Sequence, residues 1–394
     1  MQAATTSTDP VDWLARARAI APVLTEEAAA GEEAGTLTRR AVDAIGGAGL
    51  FGLALPAGLG GAEADLATQL AVWEEVSRAD GSAGWCLMAG ATSSAVAGAY
   101  CAPDAARQMF EGAEWVVHAG QFAPRGQGVA LEGGYRVSGE FSFGSGAGHA
   151  AWIAGGFIPL YDGQPRILES GLPEMRVACV PREKVEFRDN WTVMGLQGTG
   201  SYDYAIPEQV VPEGFTFPLL DNQVRQGGAL FRLGVLTITA AGHAGFALGV
   251  GRRALDEITT LARTKQRMGA ASPVAESPIF QRELARSEAK LRAARLLVFD
   301  AFGVVERAVL AGGEPELEDR ALVRTATTWA TEVAAEVATF AYRAGGTDPL
   351  RSPSALQRAW RDILAGTQHI FVEDKTYTDS AQVWLGIAPS FVPL

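Results

Sequence analysis

A mixed α+β molecule is predicted, with a helical first third, a β-rich middle and a long helical bundle at the end. Three observations predict it. Apolar residues recur at helical spacing before about residue 117 and again after about residue 226. Between 118 and 225 that periodicity gives way to short β-branched runs separated by glycine and proline. The chain of 394 residues is also long enough for two or three domains with sizeable cores. We therefore read 1–117 as an N-terminal α-helical domain, 118–225 as a central β-domain and 226–394 as a C-terminal four-helix bundle.

The first helix is expected to start at an Asp9-Pro10 cap, with Trp13, Ala17, Ile20 and Leu24 along one face. Asp65 caps a second stripe of Leu66, Leu70, Trp73 and Ser77. Ala- and Gly-rich helix then runs to about Glu111, with a proline start at Pro103. In the middle, 135–137, 152–157, 176–180 and 185–187 read as strands. Beyond 226, Phe280, Leu284, Ser287, Leu291, Ala294, Val298, Ala301 and Val305 form one long stripe. Leu322, Ala326, Trp329, Val333, Val337 and Phe340 form another, and Leu356, Trp360, Ile363 and Leu364 open a last helix.

Composition narrows the function classes. Hydrophobic residues at 48% and charged ones at 20% suit a folded, water-soluble chain. A net charge of −12 argues against a nucleic-acid partner. The stretch 233–251 carries no formal charge, but five glycines, two threonines and His243 suit a buried bundle helix better than a membrane span. Cys86, Cys101 and Cys179 lack metal or disulfide spacing, so reduced thiols and no metal site are expected. The polar Met1-to-Asp9 start has no apolar core of a secretion signal, which points to the cytoplasm.

Gly47-Ala48-Gly49-Leu50-Phe51-Gly52 matches a dinucleotide fingerprint in spacing only. Helix precedes it where a strand is required, and Pro56 blocks the helix that should follow. It reads as a helix end and a turn. No site for a nicotinamide cofactor is therefore expected on this chain.

The most specific run is Trp191-Thr192-Val193-Met194-Gly195-Leu196-Gln197-Gly198-Thr199-Gly200-Ser201-Tyr202-Asp203. It resembles the stretch that closes the central β-domain of the acyl-CoA dehydrogenase superfamily, whose helix–sheet–bundle layout covers the whole chain. The resemblance implies a flavin between the β-domain and the bundle. It places Phe143 and Ser145, from Gly139-Glu140-Phe141-Ser142-Phe143-Gly144-Ser145-Gly146, along the flavin ring, with the Ser145 hydroxyl near N5. It sets Gln121 and Phe122 where the family's backbone meets the flavin pyrimidine. Trp85, Phe122, Phe143 and Trp191 then line the cleft, and His118 and His243 border the substrate. Arg267, Phe280, Gln281, Gly345 and Gly346 are matched to contacts with the flavin tail, leaving FMN and FAD both open.

A dehydrogenase of this family needs a glutamate to take the α-proton while hydride leaves for the flavin. One family position falls on Ile370, and the other lies in a stretch with no Asp or Glu between Asp221 and Asp256. Beside Ile370, Ala365-Gly366-Thr367-Gln368-His369-Ile370-Phe371 is similar to a run in the two-component monooxygenases of this fold, such as the hydroxylase of seco-steroid phenols. That branch takes reduced flavin (FADH2 or FMNH2) from a separate NAD(P)H:flavin reductase and adds O2 to form a C4a-hydroperoxide. It implies hydroxylation of a phenolic, polycyclic aromatic or amine-type small molecule by a homotetramer. His369 is the expected base or orienter, carried on a flavin-facing helix, and Ser145 the expected partner of the flavin. A dehydrogenase or oxidase with another base, and a non-catalytic binding protein of the same fold, are the rival readings.

Overall fold

The computed structural model describes residues 11–112, 115–221 and 223–387. The Asp9-Pro10 cap lies outside them; within them Asp12 caps α1 (Trp13–Ala34), its carboxylate accepting Ala15 N–H at 2.9 Å. Next come α2 (Arg39–Gly47), α3 (Leu66–Ala79), α4 (Gly81–Tyr100) and α5 (Pro103–Phe110). Asp65 caps α3 by accepting Thr68 N–H at 2.7 Å. The 47–52 glycines end α2 and turn the chain at Gly49, whose φ of 77° favours a residue without a side chain.

The middle is one eight-stranded sheet: β1 (His118–Leu131), β2 (Gly134–Gly144), β3 (Trp152–Tyr161), β4 (Gln164–Pro165), β5 (Arg176–Pro181), β6 (Glu186–Arg188), β7 (Tyr202–Pro212) and β8 (Thr216–Pro218). Its order is β6-β7-β2-β1-β3-β5-β8, with β4 on the end of β3; β1 and β3 run parallel and the other pairs antiparallel. The expected strands are found. The long β1 and β7 are additional, because their glycines, prolines and polar residues hide any clean alternation.

The last part holds α6 (Gly234–Ala262), α7 (Pro278–Leu310), α8 (Leu317–Gly345), α9 (Ala355–Gly366) and α10 (Lys375–Trp384). The uncharged stretch is the buried heart of α6, with 89% of its most apolar window inside the fold. Its glycines let it approach other helices: a Cβ on Gly249 would sit 2.2 Å from the Glu74 carbonyl oxygen of α3. The expected last helix is two short ones. Gly366 presses against Phe246, and the Thr367 hydroxyl donates to the Leu364 carbonyl at 2.7 Å, closing α9 there.

Candidate active site

Four segments converge where β2 ends. The first is α4, buried on nearly every side and started by Asp80, which accepts Ala83 N–H at 2.9 Å. Small residues bring it close to its neighbours: Cβ atoms on Gly81 and Gly84 would collide with Asp362 and Ser77. This fixes Trp85, 7% exposed, on the face toward β2.

The second segment is the end of β2. Phe143 is 63% exposed and has a φ of 62°, left-handed backbone that a bulky residue adopts only at a cost of about 1–3 kcal/mol. The bend turns Ser145 inward. The third is the glycine-rich turn. Leu196 and Gly200 are left-handed, Leu196 N–H donates to Asp362 Oδ1 at 2.6 Å, and Gly198 N–H donates to Ser82 Oγ at 3.2 Å. Gly195 lies against the Arg361 carbonyl with no room for a Cβ.

From these segments a polar chain assembles. Trp85 Nε1–H donates to Ser145 Oγ at 2.9 Å, Ser145 Oγ lies 2.8 Å from Ser201 Oγ, and Ser201 Oγ lies 2.7 Å from Thr199 Oγ1. Thr199 Oγ1–H donates to the Leu196 carbonyl at 2.8 Å.

The fourth segment follows α9. His369 is not on a helix; it starts a 3₁₀ turn (Ile370–Val372), because α9 stops at Gly366. Its ring lies 5.6 Å from that of Trp85, edge to face, and 5.3 Å from that of His243. Nδ1 accepts Phe371 N–H at 3.3 Å. A neutral imidazole with Nδ1 accepting carries its proton on Nε2, so the free nitrogen is a donor. Burial, and then the Arg324 guanidinium, push the His369 imidazole down to about 4. It is therefore neutral near pH 7, and its free nitrogen carries a hydrogen rather than a lone pair.

His243, expected to border the substrate, packs its ring against Trp85, Phe246 and His369. It is fully buried with no hydrogen-bond partner on either nitrogen among the described residues, and burial, His369 and Arg324 hold its pKa well below the usual range. No carboxylate is among the groups shifting either imidazole. Asp362 is buried and raised to about 8, burial first and Asp80 second, but one of its oxygens holds the glycine-rich turn.

The other expected residues divide. Trp191 meets Phe143 edge to face at 6.2 Å and donates to the Leu196 carbonyl at 3.1 Å. Gln121 N–H is already spent on the Tyr204 hydroxyl at 2.7 Å, so that donor is not free for a pyrimidine ring. Phe122 turns its ring onto Phe217, 5.8 Å away. His118, expected beside the substrate, is fully buried and stacks on Phe110 at 4.9 Å and on Trp152 at 6.2 Å. Arg267 and Phe280 line an 830 Å³ cavity between α7, α8 and the 270–277 loop. Gln281 binds the Ala275 carbonyl at 2.9 Å; Gly345 ends α8 and Gly346, with a φ of 62°, follows it. Sequence reading assigned no role to Arg324, Asp362, Thr199 or Ser201. Only Thr199 and Ser201 carried a signal, as hydroxyls inside the glycine-rich run.

These features fit a planar tricyclic cofactor. An exposed phenyl on strained backbone meets only the edge of Trp191 and keeps most of its surface open, and the Ser145 hydroxyl beside it has hydrogen-bonding capacity left. Fold and site together define a flavin-dependent oxidoreductase with a β-domain set between helical domains.

Comparison with known proteins agrees. Residues 14–108 match the acyl-CoA dehydrogenase N-terminal domain and residues 241–374 the acyl-CoA dehydrogenase C-terminal domain. The chain is 30% identical over 359 residues to an indole-3-acetate monooxygenase of Pseudomonas putida, covering 90% of this chain and 88% of that protein. It is 27% identical to the oxygenase component of an FADH(2)-dependent resorcinol hydroxylase of Rhizobium sp. (strain MTP-10005), covering 96% and 95%. The crystal structure of 3-HSA hydroxylase from Rhodococcus sp. RHA1 superposes with a TM-score of 0.89 at 24% identity, covering 98% of this chain and 99% of that one. The chain belongs to the acyl-CoA dehydrogenase superfamily, in its flavin-dependent monooxygenase branch.

Proposed function

We propose that this protein is the oxygenase component of a two-component monooxygenase that hydroxylates a phenolic or other electron-rich aromatic small molecule. One observation carries the reading: the Trp85 indole joins the two candidate catalytic groups, bonding Ser145 at 2.9 Å while its ring lies 5.6 Å from that of His369. Reduced flavin, when bound, supplies the electrons that activate O2. The chain's own residues do the rest. Phe143 and Trp191 would flank the ring, Ser145 would meet its N5 edge, and His369 Nε2–H would hold the substrate oxygen. Arg324, close enough to shift both buried imidazoles, gives the pocket a positive field suited to a phenolate or carboxylate. Trp85, His243 and Phe246 keep water out.

The 830 Å³ cavity with Arg267 and Phe280 supports FADH2 over FMNH2, since it has room for an adenylate. Gln281, Gly345 and Gly346 stand near that cavity's lining elements and complete the proposed tail site. We take the assembly to be a homotetramer, the compartment to be the cytoplasm, and 1–117, 118–225 and 226–394 to be the folding units. Light scattering on the purified protein tests the assembly.

The deciding experiment supplies FADH2 from a separate reductase with NAD(P)H, O2 and a panel of phenols and indoles. Substrate-dependent hydroxylated product is expected. Tightly bound yellow flavin that a substrate bleaches without O2 would establish the dehydrogenase reading instead. Arg267→Ala should weaken FADH2 binding about tenfold and leave FMNH2 binding unchanged, read by anaerobic titration.

A further inference from the structure

The polar chain at Ser145 has a direction that can be derived link by link. A carbonyl oxygen only accepts, so the Thr199 hydroxyl, 2.8 Å from the Leu196 carbonyl, spends its single hydrogen there. Thr199 is fully buried and Ser201 2% exposed, so water offers neither hydroxyl an alternative. At 2.7 Å from Ser201, Thr199 Oγ1 has only lone pairs left, and Ser201 must donate to it. Ser201 then has no hydrogen for Ser145, 2.8 Å away, so Ser145 must donate to Ser201. Its Oγ also accepts Trp85 Nε1–H at 2.9 Å. One lone pair remains, and nothing to donate.

We propose that Thr199, acting through Ser201, fixes Ser145 as an acceptor only, and that the site thereby selects reduced flavin, which carries N5–H, over oxidised flavin, whose N5 is a bare acceptor. The proposal rests on the placement of Ser145 at the N5 edge given above. Thr199 and Ser201 are positioning residues; they act on the flavin through Ser145. Reduced flavin completes the last lone pair, whereas oxidised flavin sets one lone pair against another. A chain that receives its flavin reduced and must let it go oxidised gains release of the spent form from this arrangement.

The test is anaerobic titration of the full-length protein with oxidised and with reduced FAD. Wild type should bind the reduced form more tightly. In Thr199→Val nothing claims the Ser201 hydrogen, so Ser201 can donate to Ser145 and free the Ser145 proton for N5. Ser201→Ala frees it directly. Both variants should bind oxidised flavin about tenfold tighter than wild type, with reduced-flavin affinity nearly constant. Equal weakening of both forms, or an unchanged ratio, overturns the proposal, since a merely structural role predicts one or the other. Where a variant fails to fold, wild type with oxidised 5-deazaflavin decides, because a C–H there replaces the N5 lone pair. Tighter binding than oxidised FAD supports the proposal, and equal binding overturns it. If wild type binds neither form of flavin, the functional reading falls together with the proposal. If it binds both equally, only the proposal falls.

Discussion

His369 shows how one backbone contact can change the chemistry of a side chain. Because Nδ1 takes the Phe371 N–H, the imidazole presents Nε2–H outward, and burial keeps it neutral across the physiological range. A sequence reading weights a histidine as a base from its free-solution pKa near 6.5. In place, a donor is what remains. His369→Ala should lower kcat about 10- to 100-fold while reduced-flavin affinity holds, as loss of one buried hydrogen bond to substrate implies. His369→Gln, whose amide can still donate, should recover part of that rate in steady-state assays. The wild-type rate should lack the acid limb near pH 6.5 that a histidine base would impose, and fall only as pH approaches about 4. A half-maximal rate near pH 6.5 would contradict the donor assignment.

At the scale of elements, α6 is the piece on which the helical parts close. Its glycines are contact points, and Gly249 meets a backbone carbonyl of α3. In an exposed helix, Gly→Ala stabilises by about 1 kcal/mol. Here the added methyl has only backbone to push against, so Gly249→Ala should destabilise by about 2 kcal/mol, read from urea unfolding. Apolar stripes made α1, α3, α7 and α8 legible in the sequence, because those helices keep one wet face. Strands β1 and β7 were not, since pairing inside a sheet tolerates the glycines and prolines that blur alternation. The end of α9 was also hidden. A glycine stops a helix there through its tertiary contact with Phe246, and Gly242, Gly245 and Gly249 inside α6 show that glycine alone is no stop. Within the site, it was the family resemblance that pointed to Ser145, Trp85 and His369. The direction of the hydroxyl chain and the Nδ1 contact depend on backbone positions remote in sequence, from Leu196 to Phe371.

For the molecule as a whole, buried ionisable groups set opposing pH limits. His149 and His369 are held at about 4 and His243 well below its usual value, against about 6.5 when unfolded. The folded state therefore binds fewer protons than the unfolded chain between those values. That contribution is complete above pH 6.5 and is lost as pH falls toward 4. Asp362, raised to about 8 from a usual value near 3.9, works the other way: its contribution is present at low pH and lost as pH rises through 8. Thermal melts should fall on both sides of a maximum. His149→Phe, which keeps a ring against Phe51, should make the acid side shallower. Asp362→Asn should flatten the alkaline side.

Helix α4 is encased by its neighbours, and Trp85 within it is committed to Ser145 on one side and ringed by His243, Phe246 and His369. The Trp85 wall is thereby closely packed, while Gln368 and Ile370, beside His369 in the irregular link after α9, are exposed. Tailoring for new aromatic compounds belongs in that link. Variants randomised at Gln368 and Ile370 should change which compounds are accepted and keep reduced-flavin affinity, whereas changes along α4 should forfeit both.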